Sequence, residues 1–248
     1  MIETPDIERP PQDLIESLGA ISSATASGEL ARLGIRDPHL SGCIARTPGQ
    51  RVVGPALTLQ FMPKREDLYD VDEYADPERQ LHRHALYHTR PGDIVVVDAR
   101  GNLSSGVFGD MMMTFFKGRG GIGAVVDGCI RDFPKVRTLG LGLWLRGVTP
   151  NFHTQTDIFP YAVNVPVACG GTTVVPGDII VADDDGAAVV PAALAPELIE
   201  KATAHEEWED FSRMKLAEGG HLRKYYPLSE EGRAEYEEWL KAGGPKPE

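Results

Sequence analysis

The sequence predicts an α/β protein in which helices wrap a compact β core. Three observations point there. Strand-like segments gather in the middle of the chain, while helical periodicity concentrates at its ends. A Pro-Gly-Asp turn followed by a β-branched run occurs twice, at Pro91–Gly101 and at Pro176–Gly186. The segment from Pro196 to Glu218 carries one broad apolar face, formed by Leu198, Ile199, Ala202, His205, Trp208, Phe211 and Leu216.

The elements follow in order. Residues 1–12 are charged and proline-rich and read as a loose arm. Leu14 to Leu33 repeats small and apolar residues at helical spacing. It predicts two short helices, the second opening near Ser23–Ser27 and stopping at Gly34. Val52–Phe61 alternates as a strand does. Lys64–Pro77 is rich in Asp, Glu and Tyr and reads as a surface excursion before a helix near Glu78–His88. Asp110–Lys117 is predicted helical, Gly123–Asp127 a buried strand, Thr138–Leu145 a further apolar segment and Ala187–Pro191 a strand. Gly219-Gly220 ends the long helix. Ser229 caps a last helix with Glu230 and Glu231 in its first turn and Gly243 beyond its end. The resulting division is an N-terminal arm and helix over 1–20, a central domain over 21–195 and a C-terminal helical extension over 196–248.

At 248 residues the chain is long enough for one sizeable core with terminal additions. A formal net charge of -12 argues against a general nucleic-acid binder, whose phosphate contacts need clustered Lys and Arg. Cys43, Cys129 and Cys169 form no CxxC motif, as in a reduced protein. No apolar run approaches a membrane span and the first twelve residues show no leader-type apolar core, so the expected location is cytoplasmic.

The chemistry concentrates in one stretch, Gly109-Asp110-Met111-Met112 and, after a spacer of twenty residues from Met111 to Ile130, Arg131-Asp132. Gly109 frees the backbone before a helix, leaving the amides of Asp110, Met111 and Met112 to bind a carboxylate or phosphate. Arg131, after a Gly128-containing turn at a strand end, can grip a carboxylate with two parallel hydrogen bonds. Asp132 offers a hard oxygen suited to Mg²⁺ or Mn²⁺, with water and substrate completing the shell. A metal chelated by an α-keto acid would act as a Lewis acid and stabilise an enolate. A Schiff base would serve the same end, but the stretch contains only Lys117, late on the helix. Taken alone, Arg-Asp also fits a surface turn, Asp110 a simple helix cap, and Met111 to Phe116 core packing.

Other polar clusters read more plainly. His82, His84 and His88 lie at i, i+2 and i+6, a poor fork for a metal on a helix. His153 and Asp157 suit loop hydrogen bonding or polarity at a substrate mouth. Asp183-Asp184-Asp185-Gly186 reads as a solvated turn, and Glu206 to Asp210 as the wet face of a helix.

Gly109-Asp110, the spacer and Arg131-Asp132 resemble the signature of the class II pyruvate aldolases that cleave 4-hydroxy-4-methyl-2-oxoglutarate and 4-carboxy-4-hydroxy-2-oxoadipate. Their fold family also includes RraA, the regulator of ribonuclease E activity. The resemblance runs from about Ile21 to Tyr226 and includes Val53-Gly54-Pro55-Ala56, Val126-Asp127-Gly128, Val165-Pro166-Val167, Gly170-Gly171 and Pro176-Gly177-Asp178. It implies a swivelling-domain-like β core, barrel or sandwich in form, flanked by helices. It further implies homotrimers or homohexamers with sites at subunit interfaces. Gly109 to Met112 and Arg131 would hold the pyruvyl part of an oxo-acid substrate, Asp132 the divalent metal, largely through water, and Asp110 the water that exchanges protons. The implied activity is a metal-dependent lyase releasing pyruvate, with oxaloacetate decarboxylation as related chemistry. The alternative is an RraA-type regulator that binds and inhibits a ribonuclease without catalysis. Gly28 stands where the aldolases carry a proton-transfer glutamate. Glu29 is turned by about 100° from it. Glu206, Glu207 and Glu218 compete for the role of a second acid.

Overall fold

The computed structural model shows a core organised around β2 (Val52–Pro63), which pairs with three other strands. The structure describes residues 2–69, 72–73 and 75–244. The first four residues of β2 pair antiparallel with β9 (Ile179–Asp183), and Ala56 to Gln60 pair parallel with β3 (Ile94–Gly106). Leu59 to Pro63 pair antiparallel with β6 (Ile158–Val163), with a register shift between Gln60 and Phe61. One strand thus serves two edges of a curling sheet.

From β3 the sheet continues in parallel through β4 (Gly123–Ile130) to β5 (Gly142–Val148), and β1 (Ile44–Ala45) closes that edge antiparallel. The other edge ends in the β9–β10 hairpin (β10, Gly186–Val190). β7 (Val167–Cys169) and β8 (Thr172–Val174) form a separate two-stranded ribbon. The result is a nearly closed, barrel-like mixed sheet flanked by helices.

Strand periodicity sorts the core into two layers. Val95 and Val97 of β3 pack with Ala85, Leu86, Met113, Phe116 and Val136, the inner faces of α3 (Leu81–Tyr87), α4 (Asp110–Gly118) and α5 (Phe133–Val136). Ile94 and Val96 point the other way, into a layer with Val167, Cys169, Ile180 and Val189 from the ribbon and hairpin. Every residue of β4 is buried because both layers cover it. All three cysteines are buried and free.

The repeated Pro-Gly-Asp motif makes two type II turns. Pro91 and Pro176 take the first central position, and Gly92 (φ 91°) and Gly177 (φ 89°) supply the left-handed second one. The amides of Asp93 and Asp178 close these turns on the carbonyls of Arg90 and Val175, at 3.1 and 2.9 Å. The strands they launch, β3 and β9, flank β2 on opposite sides.

Two expectations are corrected. Residues 2–11, read as a loose arm, are pinned. Arg9 donates through Nε and Nη2 to the buried carboxylate of Asp93 at 2.9 and 2.7 Å, and Asp6 pairs with Arg90 at 2.7 Å. The Asp183–Gly186 turn is not merely solvated. The Asp183 carboxylate accepts from the Ser23 amide and hydroxyl at the start of α2 (Ser23–Arg32), where the helix dipole also favours an anion. The first helix, α1 (Gln12–Leu18), precedes it as predicted.

The chain divides into two compact units, residues 1–198 and 199–248, with α6 (Ala195–Ala217) crossing the division. In the second unit, Phe211 packs against Tyr225, Tyr236 and Trp239 at centroid separations of 6.1, 5.5 and 5.5 Å. These residues come from α6, α7 (Leu222–Tyr225) and α8 (Glu230–Lys241). Ser229 caps α8 by accepting from the Gly232 amide at 3.1 Å. Among the described residues no helix is long and apolar enough to cross a membrane.

Arg9→Ala leaves the Asp93 carboxylate buried without its guanidinium. We expect a loss of about 3 kcal/mol in chemical denaturation, since breaking one side of a buried pair strands the other charge.

Candidate active site

The two sequence segments singled out above meet at the C-terminal ends of β3 and β4. The Val107 amide donates to the Cys129 carbonyl at 3.0 Å and the Arg131 amide to the Phe108 carbonyl at 2.9 Å. These bonds hold Gly109, the residue before α4, against Arg131 and Asp132. A cavity of about 140 Å³ opens there, lined by Gly109 to Met112 and Arg131. Gln80, His82 and Arg83 of the α3 region and Phe152 and His153 of a 3-10 turn complete much of its wall.

Gly109 is needed for a reason other than the expected one. Its backbone is ordinary extended chain (φ -117°), so conformational freedom is not at stake. A Cβ there would lie 2.9 Å from both Arg131 Nε and Asp132 Oδ2. The missing side chain is what admits the guanidinium and carboxylate. Gly128 likewise is not in a turn. It lies inside β4 beside a register shift, where a Cβ would meet Ala99 Cβ at 2.6 Å.

The first-turn amides lie at the α4 N-terminus, and that of Met111 donates to the Asp110 carboxylate. The Gly109 carbonyl accepts from Met113 at 3.1 Å, so the amides of Asp110, Met111 and Met112 precede the first intrahelical bond. Asp110 is paired with Lys135 Nζ at 3.0 Å. That hydrogen bond, outweighing the desolvation that opposes it, holds the Asp110 carboxyl below its ordinary value. Lys135 is pushed up by the same partner, so it stays protonated and poorly suited to form a Schiff base. Lys135 was not singled out in the sequence. It lies 25 positions from Asp110 and becomes its neighbour only through the fold.

Asp132 occupies the left-handed region (φ 56°, ψ 28°), rare for a residue with a side chain. Its carbonyl accepts from Lys135 and Val136 at 2.9 and 3.1 Å, which holds that conformation at the start of α5. The Asp132 Oδ2 lies 3.5 Å from Arg131 Nε. Arg131 is 39% exposed and stands over the Phe152 ring at 5.8 Å.

Among the described residues, no group of three or more His, Cys, Asp or Glu side chains is placed to hold a metal ion. Asp132, beside the cavity-lining Gly109, is a single hard-oxygen donor, and a divalent cation of the Mg²⁺ type would fit it only with water and substrate oxygens completing the shell.

Glu29, the acid next to Gly28, does not line this cavity. Glu29 is buried on α2 and paired with Arg32, and open space surrounds Gly28. Glu206, Glu207 and Glu218 belong to the second unit, where Glu218 pairs with Lys215 at 3.5 Å. The Lys64–Pro77 excursion is not wholly at the surface, because Glu73 is buried and bonded to His153 at 2.8 Å.

Comparison with known proteins bears on the family and the fold. A family model described as RraA-like, Aldolase/RraA, matches residues 21–189. A protein of Halalkalibacterium halodurans named "Putative 4-hydroxy-4-methyl-2-oxoglutarate aldolase" is 35% identical over 152 residues, 61% of this chain and 65% of that protein. Protein DlpA of Legionella pneumophila is 26% identical over 86% of this chain but only 33% of its own length. The chain thus spans less than two thirds of either curated relative. Among solved structures, Streptomyces coelicolor RraAS2, described as an unusual member of the RNase ES inhibitor RraA protein family, superposes with a TM-score of 0.77 at 49% identity. That match covers 84% of this chain and all of RraAS2. The barrel-like core, the matched central residues and these relatives together establish that the chain belongs to the RraA-like family.

Proposed function

We propose that the chain is a divalent-metal-dependent carbon–carbon lyase that cleaves a 4-hydroxy-2-oxo acid and releases pyruvate. The observation that carries this reading is the convergence of helix-end amides and Arg131 on one cavity, with Asp132 against the same cavity-lining Gly109, whose missing side chain leaves room for both charged groups. The amides of Asp110, Met111 and Met112 and the Arg131 guanidinium are donors for the carboxylate of a pyruvyl group. A cation held at Asp132 would supply Lewis acidity at the keto oxygen. Arg83 lines the same cavity and offers a second cation, which favours a substrate with a second carboxylate such as 4-hydroxy-4-methyl-2-oxoglutarate. The same arrangement suits oxaloacetate decarboxylation. The phenyl ring of Phe152 shields one side of the guanidinium from water. Assembly as a homotrimer or homohexamer and a cytoplasmic location belong to the same proposal.

The identity to Streptomyces RraAS2 favours a second reading, a protein that binds and restrains a ribonuclease. The two readings separate on metal and on turnover. The regulator predicts a measurable complex with RNase E or ES that persists in EDTA, and no pyruvate release.

A pyruvate-release assay coupled to lactate dehydrogenase, run over a panel of oxo acids, tests the lyase. We expect turnover with Mg²⁺ or Mn²⁺, its loss in EDTA and its return with added metal. Full activity in EDTA would overturn the proposal. Arg131→Ala should lower kcat/KM by about 10³-fold, the scale for losing a charged donor from a preorganised site. Gly109→Ala should lower it by at least about 10²-fold by displacing Arg131 and Asp132. Lys135→Met removes the partner that keeps Asp110 ionised. The Asp110 carboxyl, followed by ¹³C NMR, should then titrate at higher pH than in the wild type.

A further inference from the structure

A histidine pair forms part of the cavity wall and has no part in the chemistry so far. His82 of α3 and His153 of the 3-10 turn lie edge to face, with ring centroids 4.4 Å apart and planes at 70°. The His82 ring also lies 6.5 Å from Phe108, whose carbonyl anchors Arg131. His153 Nε2 is hydrogen-bonded to Glu73 Oε1 at 2.8 Å. His82, His153 and Glu73 are 3%, 2% and 4% exposed. Among the described residues, His82 Nδ1 is buried with no hydrogen-bond partner. Such an atom is uncommon in a native structure and often marks a functional demand.

Elimination points to the same ring. The side chains lining the cavity that can accept a proton are Asp110, His153 and His82. Asp110 is ion-paired with Lys135. His153 is engaged by Glu73. His82 remains.

We propose that His82 is the proton-transfer group of this site and that the His153–Glu73 pair positions it. The inference rests on the lyase reading. With a 4-hydroxy-2-oxo acid, the His82 imidazole takes the proton of the C4 hydroxyl. The C4–O bond becomes a carbonyl as the C3–C4 bond breaks, and the electron pair of that bond passes to C3, conjugated with the C2 keto group. The imidazolium then returns the proton to C3, which gives pyruvate. One proton is taken and one returned, and no oxidant or reductant is needed. Burial, reinforced by His153, Arg83 and His84, keeps His82 well below the ordinary histidine value, so the ring is neutral and ready to accept at neutral pH.

The test is exchange of pyruvate methyl protons in D₂O, followed by ¹H NMR on the full chain with Mg²⁺, with pyruvate affinity measured by calorimetry. His82→Asn should slow exchange by about 10²-fold or more while pyruvate affinity stays within a few-fold. Equal exchange rates in the two proteins would overturn the proposal. The wild-type pH profile gives an independent reading should the variant fold poorly. The groups facing His82 are His153, Arg83 and His84, with Asp110 and Arg131 across the cavity. A base with a lowered value acts while neutral. Exchange should therefore hold level through neutral pH and fall only as acid protonates the ring, with its midpoint below 6.5. Glu73→Gln should slow exchange and move that midpoint, which a purely structural role would not do. A midpoint above 6.5, or no acid limb, would contradict the assignment. If the wild type binds pyruvate without exchange, His82 is not the proton carrier. If it neither binds nor exchanges, the lyase reading fails and this inference falls with it.

Discussion

Two backbone hydrogen bonds, from the Val107 amide to the Cys129 carbonyl and from the Arg131 amide to the Phe108 carbonyl, hold the site together. They join the tail of β3 to the end of β4 beyond the regular ladder, after the register shifts at Asn102 and Gly106. Without them the α4 N-terminus and the Arg131-Asp132 pair would belong to separate loops. With them, a fully buried strand carries the two charged residues to a fixed place, and a rigid support is what positions catalytic groups well. The left-handed backbone of Asp132 is tolerated for the same reason, because the α5 amides on its carbonyl hold it.

The electrostatics follow from that placement. The cavity gathers helix-end amides, Arg131 and Arg83 in a chain whose net charge is -12. A local cluster of donors at short range outweighs a global charge that is screened over roughly 8–10 Å in ordinary salt. An acidic protein can thus hold an anionic substrate. The Asp110–Lys135 pair keeps a carboxylate at the rim ionised, and burial favours the neutral ring of His82 in the cavity wall.

Local signals were legible in the sequence. Glycine before an acidic helix start marked α4, an unbroken apolar run marked β4, and Ser229 marked the cap of α8. Gly109 was found for the wrong reason, since neighbour distance and not backbone freedom requires it. What stayed hidden depends on contacts between distant residues. Arg9 and Asp93 are 84 positions apart and carry no shared pattern. Glu73 and His153 are 80 positions apart, and each alone looks like loop polarity. The spacing of His82 to His84 and His88 bears only on metal ligation, whereas in the fold its ring lies 4.4 Å from that of His153. Unmet hydrogen-bonding capacity is a property of a packed environment, and no spacing rule reports it.

The claim on which the account turns is that Gly109 to Met112, Arg131 and Asp132 address one ligand. A crystal structure with Mn²⁺ and oxalate, a planar mimic of the pyruvate enolate, tests it most directly. We expect anomalous density for the ion beside Asp132, and oxalate bridging it to the Arg131 guanidinium and the α4 amides. An ion bound away from Asp132, or oxalate out of contact with Arg131, would contradict it.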